Sequence, residues 1–300
     1  MKVSVIVPVY NEEKTVDEIL KKLFSIALFT QIIVVDDAST DKTPSVLKNI
    51  ANSRAPFLRK FTQSATRNLI RKNGIPVADE YVDSAQSTTY SCAQKRATIG
   101  SEKSGAERLQ SFSLTTAHHA KNRGKGAAIR TALKFVTGDL VFIQDADLEY
   151  NPQEIKKLLR AFSLSPSPVA VYGSRLMNNP FPKRGYLTTL AGNHAITAFT
   201  NLLYATRLTD AYTCYKLIPA KILKNLNLTS HRFEIEAEIT AKLALKKVKI
   251  LEVPITYNPR TYQKGKKIKL RDFFLAVSTL LRYRFQIWPK RATISPIIQF

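Results

Sequence analysis

The stretch Gly138-Asp139-Leu140-Val141-Phe142-Ile143-Gln144-Asp145-Ala146-Asp147-Leu148-Glu149-Tyr150 decides how this chain folds. Four apolar residues, Leu140 to Ile143, are too short a run for a helix and read as a buried strand bounded by Gly138 and Asp145. Asp145, Asp147 and Glu149 then stand at the carboxyl end of that strand, where open α/β sheets bind their ligands. Hard carboxylate oxygens there suit Mg²⁺ or Mn²⁺ holding a diphosphate. The same residues would equally lead into a helix with an acidic first turn, since Pro152 suits a helix start, and a D-x-D pair taken alone is weak evidence.

Upstream, the pattern strand, turn, helix occurs twice. Val3 to Val9 is β-rich and apolar, and Asn11-Glu12-Glu13 opens a helical pattern with Val16, Ile19, Leu20, Leu23 and Phe24 on one face. Gln31 to Val35 is a second strand, ending in Asp36-Asp37-Ala38-Ser39-Thr40-Asp41 before another helix from Pro44. Two βα units in succession predict an α/β protein with a doubly wound, mostly parallel sheet and helices on both faces. Neither strand is followed by a glycine-rich phosphate loop, which argues against a dinucleotide oxidoreductase or a P-loop enzyme.

Residues 51–117 break the pattern. They are rich in Ser and Thr with apolar residues scattered, and read as a polar insert in which Pro56 to Phe61 or Phe112 to Thr116 supplies an edge strand. Order resumes at Lys121-Asn122-Arg123-Gly124-Lys125-Gly126, a basic glycine-containing turn that suits a phosphate or base contact ahead of a helix to Phe135. Beyond the acidic strand come a helix from Pro152, a strand ending in Gly173-Ser174-Arg175, a long helix over 188–204, a helix ending near Leu226, a helix led by Glu234 to Glu238, and a strand from Val248 to Val253. The organisation expected is one domain over 1–260, interrupted at about 51–117, and a basic amphipathic segment over 261–300.

Composition limits the partners. The 300 residues carry 46 Lys and Arg against 23 Asp and Glu, a formal charge of +23. Such an excess points to nucleic acid, an anionic membrane surface or phosphorylated substrates. No zinc finger or aromatic RNA-binding strand accompanies it, so nucleic acid is not the expected partner. Cys92 and Cys214 are too few and too far apart for a disulfide framework, which fits a reducing cytoplasm. The amino terminus lacks a secretory signal, and no segment has the ~20 apolar residues needed to span a bilayer. A peripheral protein on the cytoplasmic face of a membrane is the expectation, with the basic, aromatic-rich carboxyl-terminal segment as its contact.

The opening Val7-Pro8-Val9-Tyr10-Asn11-Glu12, the Val34-Val35-Asp36-Asp37-Ala38-Ser39 turn, Asn122-Arg123-Gly124-Lys125-Gly126, Gln144-Asp145-Ala146-Asp147 and Gly173-Ser174-Arg175 together resemble glycosyltransferase family 2, in its dolichol-phosphate mannosyltransferase-like branch. Asp210 to Lys216, Phe233 to Glu238 and Arg260-Thr261-Tyr262-Gln263-Lys264-Gly265-Lys266-Lys267 extend the likeness. The resemblance implies a GT-A fold, Rossmann-like in its winding. It implies inverting transfer of one sugar, such as mannose or glucose, from a nucleotide sugar (GDP-mannose or a UDP-sugar) to a polyprenyl monophosphate. By the same motifs Pro8, Tyr10, Glu12 and Asp37 would contact base and ribose, and Lys125 would lie in the donor site. Asp145 and Asp147 would hold the metal and diphosphate, with Glu149 in the place where relatives often have Gln. Arg175 and Arg260 would bind phosphates, and Lys266 would help the leaving group.

A phosphate monoester is already anionic near neutral pH, so its attack on an anomeric carbon needs no strong base. A sugar-hydroxyl acceptor, as in cell-envelope polysaccharide synthesis, would need one, and Asp210 or Glu236 would be the candidates. A nucleotidyltransferase remains as a rival, distinguished by release of pyrophosphate.

Overall fold

The structure, a computed structural model, describes residues 1–26, 28–53, 59–61, 85–95, 109–177, 187–260, 267 and 270–285. Its centre is a nine-stranded sheet in the order β3-β4-β5-β2-β1-β6-β8-β7-β9. The strands are β1 (Val3–Val9), β2 (Gln31–Asp36), β3 (Arg59–Phe61), β4 (Ala85–Lys95), β5 (Leu109–His119), β6 (Leu140–Ile143), β7 (Ala170–Ser174), β8 (Lys216–Pro219) and β9 (Ile250–Pro254). β5, β2, β1 and β6 are parallel neighbours, and β7 and β9 run with them. β4 and β8 run the other way.

Side-chain alternation divides the sheet into two buried faces. Val3, Val5, Val7 and Val9 of β1, with Ile32, Val34 and Phe142, pack against α1 (Val16–Phe24), α2 (Thr43–Ser53) and α4 (Ile155–Ser163). Ile6, Ile33, Val35, Val141 and Ile143 turn to the opposite face, where α3 (Lys125–Leu133), α6 (Ala220–Lys224) and α7 (Ile235–Leu245) cover them. The doubly wound architecture expected from the two βα units is therefore present. A smaller core joins α5 (Leu187–Tyr204), α7 and α8 (Leu270–Arg284) through Ile196, Ala237, Ala241, Ala276 and Leu280.

Two segments differ from the sequence expectation. Phe112 to Thr116 lies in an interior strand, paired on one side with β2 and on the other with β4, with Phe112 and Leu114 buried in the core. Its Ser and Thr content disguised a strand that buries Phe112 and Leu114 on one face and Thr115 and Ala117 on the other. The edge belongs to β3, within the other stretch considered. β8, absent from the sequence reading, fills the gap between β6 and β7, because Lys-Leu-Ile-Pro begins with a charge and ends with a helix-starting proline. Lys266 lies outside the described residues, as do 261–265, 268–269 and 286–300 of the carboxyl-terminal segment.

Candidate active site

The carboxyl ends of β1, β2 and β6 bend sharply into their loops. Asn11 and Ala38, two residues past β1 and β2, and Leu148, five past β6, have φ of 50°, 59° and 62°. Such left-handed backbone is costly for residues with a Cβ and collects at functional sites. Cross-links hold the bends: the Asn11 amide donates to Ser39 Oγ at 2.9 Å, and the Thr40 amide donates to Asn11 Oδ1 at 2.8 Å.

The acidic motif sits where the sequence placed it, just past β6. Asp147 is crowded: burial, then the charges of Asp145 and Glu149, push its carboxyl up to about 7, against the pull of Arg260. Lys125 Nζ lies 2.7 Å from Asp145 Oδ1 and 3.1 Å from Glu236 Oε1. Burial would strip that lysine of its proton, yet Asp145, Cys214 and Glu236 hold its value well above the ordinary one. Arg260 spans three acids. Its guanidinium donates to Glu12 Oε1 at 2.9 Å, to Glu12 Oε2 at 3.1 Å and to Asp147 Oδ2 at 3.1 Å, and lies 3.7 Å from Glu149. Lys267 reaches Glu12 at 2.7 Å and donates to the Tyr10 carbonyl. Burial raises Glu12, but these cations outweigh it and hold the carboxyl below its usual value.

Both oxygens of Glu149 are engaged. The Tyr257 hydroxyl donates to one of its oxygens, and the Arg260 amide donates to the other at 2.9 Å. Among the described residues no three His, Cys, Asp or Glu side chains are grouped to hold a metal unaided. Asp145 and Asp147 still fit one. Mg²⁺ is commonly held by one or two carboxylates together with substrate phosphates, and the like-charge crowding at Asp147 is what a divalent cation would relieve.

Past β7, Arg175 is locked. Its Nε donates to Asp210 Oδ2 and its Nη2 to Asp210 Oδ1, each at 2.7 Å, and its amide donates to Oδ2 at 3.0 Å. Asn193 of α5 donates to Oδ1 at 3.0 Å. Burial alone would raise fully buried Asp210, but Arg175 holds it below the usual range. Glu236 is buried between Lys216, 2.5 Å away, and Lys125. Its value too is lowered, because those lysines outweigh the effect of burial. Both candidate bases are thus ionised partners of cations.

A cleft of about 570 Å³ opens beside the ends of β1, β2 and β5, lined among others by Tyr10, Asp36, Pro44, His118 and Lys121. Pro8, opposite Val35 in β1, is half-buried and is not among its lining residues. Asp37 is turned inward: it accepts from the Arg123 amide at 2.9 Å and the Gly124 amide at 2.6 Å, and lies 2.6 Å from His119 Nδ1. That anchoring explains the glycine turn better than a phosphate loop does. Gly124 has φ 91°, and a Cβ there would meet the His231 carbonyl at 2.5 Å; at Gly126 it would meet the Ser230 carbonyl at 2.6 Å. The sequence reading missed His118, His119, Asn193 and Lys216. The paired histidines just before the basic turn were the one visible signal.

The sequence profile of the family described as "Glycosyl transferase family 2" matches residues 4–71 and 100–226. A low-salt glycan biosynthesis hexosyltransferase of Haloferax volcanii is 30% identical over 141 residues, 46% of this chain, and the match covers only 33% of that protein. A UDP-N-acetylglucosamine–dolichyl-phosphate N-acetylglucosaminyltransferase of Methanococcus voltae is 25% identical over 84% of each chain. Glucosyl-3-phosphoglycerate synthase of Mycobacterium tuberculosis, crystallised with Mg²⁺ and UDP, superposes with a TM-score of 0.56 at 14% identity, covering 95% of this chain and 78% of its own. That likeness shows the GT-A fold.

Proposed function

The chain belongs to glycosyl transferase family 2, and from that premise we propose that it moves one sugar from a nucleotide sugar to a polyprenyl monophosphate with inversion. The observation that carries the acceptor class is the engagement of Asp210 by Arg175 and of Glu236 by Lys216 and Lys125. A hydroxyl acceptor needs a free base at the site. A phosphate brings its own anionic oxygen, and what it asks of the protein is fixed cationic groups. In this reading Arg175, held in plane by Asp210, orients it.

In the proposed transfer, a phosphate oxygen bonds to the anomeric carbon as the bond to the nucleoside diphosphate breaks on the opposite face. Asp145 and Asp147 would hold a divalent cation, whose contribution when bound is to neutralise charge on the leaving diphosphate. Lys125 and Arg260 fix those two carboxylates from either side. The named substrates of the Methanococcus relative, a UDP-sugar and a dolichyl phosphate, support the same assignment.

A lipid acceptor must be met at a membrane. No described helix is long and apolar enough to cross one. α5 has no charged residue in its 18, yet its Ala191, Ala195, Ala198 and Leu202 are exposed, Leu202 to 80%. α8, tied to α5 by the Tyr204 hydroxyl donating to the Leu280 carbonyl at 2.6 Å, exposes Leu270 (74%) and Phe274 (62%) near Arg271 at its start, and Phe285 (61%) follows Arg282 and Arg284 at its end. Exposed apolar residues next to cations fit an interfacial contact with anionic lipid.

The test is to supply GDP-mannose, UDP-glucose and UDP-N-acetylglucosamine in turn, with Mn²⁺ and a polyprenyl phosphate, and to analyse the lipid and the released nucleotide. A sugar-bearing lipid phosphate and a nucleoside diphosphate are expected with one donor. No lipid product with any donor would overturn the acceptor; released pyrophosphate would overturn glycosyl transfer.

A further inference from the structure

The proposed transfer gives no task to His118, a polar side chain of the cleft. β5 ends in two histidines, and strand alternation turns them to opposite faces. His119 is buried, with Nδ1 2.6 Å from Asp37 and Nε2 2.8 Å from Thr131 Oγ1. His118 lines the cleft with 39% of its side chain exposed. Its Nδ1 lies 3.2 Å from Asp36 Oδ2, while Asp36 Oδ1 accepts from both the hydroxyl and the amide of Ser39. Asp36 is buried and cannot turn away without losing those bonds. A carboxylate oxygen accepts, so the tautomer that donates from Nδ1 to Asp36 offers Nε2 as an acceptor.

The surroundings suit a flat heterocycle. Tyr10 supplies an aromatic ring, Pro44, Ala38 and Ala120 supply small apolar surface, and about 570 Å³ lies within the usual range for a small-ligand site. Position agrees as well. β5 is three strands from β6, roughly 14 Å at normal strand spacing. A nucleoside diphosphate whose phosphates lie at Asp145 and Asp147 would extend across β1 and β2 toward His118.

We propose that His118 selects the donor's nucleobase, accepting through Nε2 the ring N–H that uracil or guanine presents beside a carbonyl. Cytosine and adenine have a bare ring nitrogen at the matching position, so acceptor would face acceptor. The assignment rests on the nucleotide-sugar reading, and it specifies which nucleotides that reading admits.

The experiment is calorimetric titration of the full chain with UMP, CMP, GMP and AMP. The wild type should bind UMP over CMP, and GMP over AMP, by on the order of tenfold, the usual consequence of leaving one such group unpaired. In His118→Ala the UMP and GMP affinities should fall until both preferences are within about threefold of unity. His118→Gln, which keeps an acceptor oxygen, should recover part of the preference and guards against a folding defect in the alanine variant. Preference that survives in His118→Ala, or a wild type that binds all four equally, overturns the role of His118 and leaves the transferase reading standing. A wild type that binds none of the four overturns both.

Discussion

The two halves of the site handle polar groups in opposite ways. At the end of β2 the two acids are tied to backbone amides and neighbouring hydroxyls: Asp37 to the Arg123 and Gly124 amides, Asp36 to Ser39. The bends there are strained, and an open cleft remains. Around β6, β7, β8 and α7 the acids are tied to cations that are themselves buried, in the pairs Asp210 with Arg175 and Glu236 with Lys216. Backbone-anchored acids shape a pocket through fixed hydrogen bonds and leave their negative charge in it. Buried ion pairs instead fix the direction of charge, which phosphate chemistry requires and solvent would otherwise screen.

Substitutions test this contrast. Asp147→Ala removes a carboxylate where the acids crowd one another, so turnover should fall at least about 100-fold while stability to denaturant is held or slightly improved. Retained turnover would remove the metal assignment. Lys216→Met removes the nearer of the two lysines paired with buried Glu236 and leaves it to Lys125, and should lower the unfolding free energy by about 3 kcal/mol, whereas Lys216→Met with Glu236→Leu should recover much of it. A loss below 1 kcal/mol in the single variant would mean that the pair does not organise this half.

Asp210→Asn should keep the fold near neutral pH but misplace Arg175, at a cost of about tenfold in turnover. Its effect on acid stability has a defined sign. The folded carboxyl is depressed, so its stabilisation is present above the ordinary value near 4 and is lost as pH falls through the lower folded value. Melting temperatures of wild type and variant should therefore converge in strong acid. The smallest effect belongs to the strained half: Ala38→Gly should raise stability by about 0.5 to 1 kcal/mol, because glycine tolerates a φ of 59°. A destabilised variant would show that unfolded-chain entropy outweighs the relief.

The acidic motif, the first two βα units and the long uncharged helix were legible because each is local. Period, bounding residues and strand-end acids all lie within a dozen positions. β5 was less so, since its Ser and Thr residues conceal a core strand that only its pairing to β2 reveals. Glu149 illustrates the limit at the site itself. As sequence it is a third acid in line with Asp145 and Asp147; in space its oxygens accept from Tyr257 and Arg260, more than 100 positions away.

The sequence by itself determined the α/β winding, the family motifs and the placing of Asp145 and Asp147 at a strand end, because hydrophobic period and turn chemistry act over short range. Only the tertiary structure decided which charges meet. Lys125 reaches Asp145 and Glu236, Arg260 bridges Glu12 and Asp147, and His118 stands over Asp36. Those contacts join residues between 20 and 248 positions apart in the chain, and no local pattern encodes the pairing of charges brought together by sheet order.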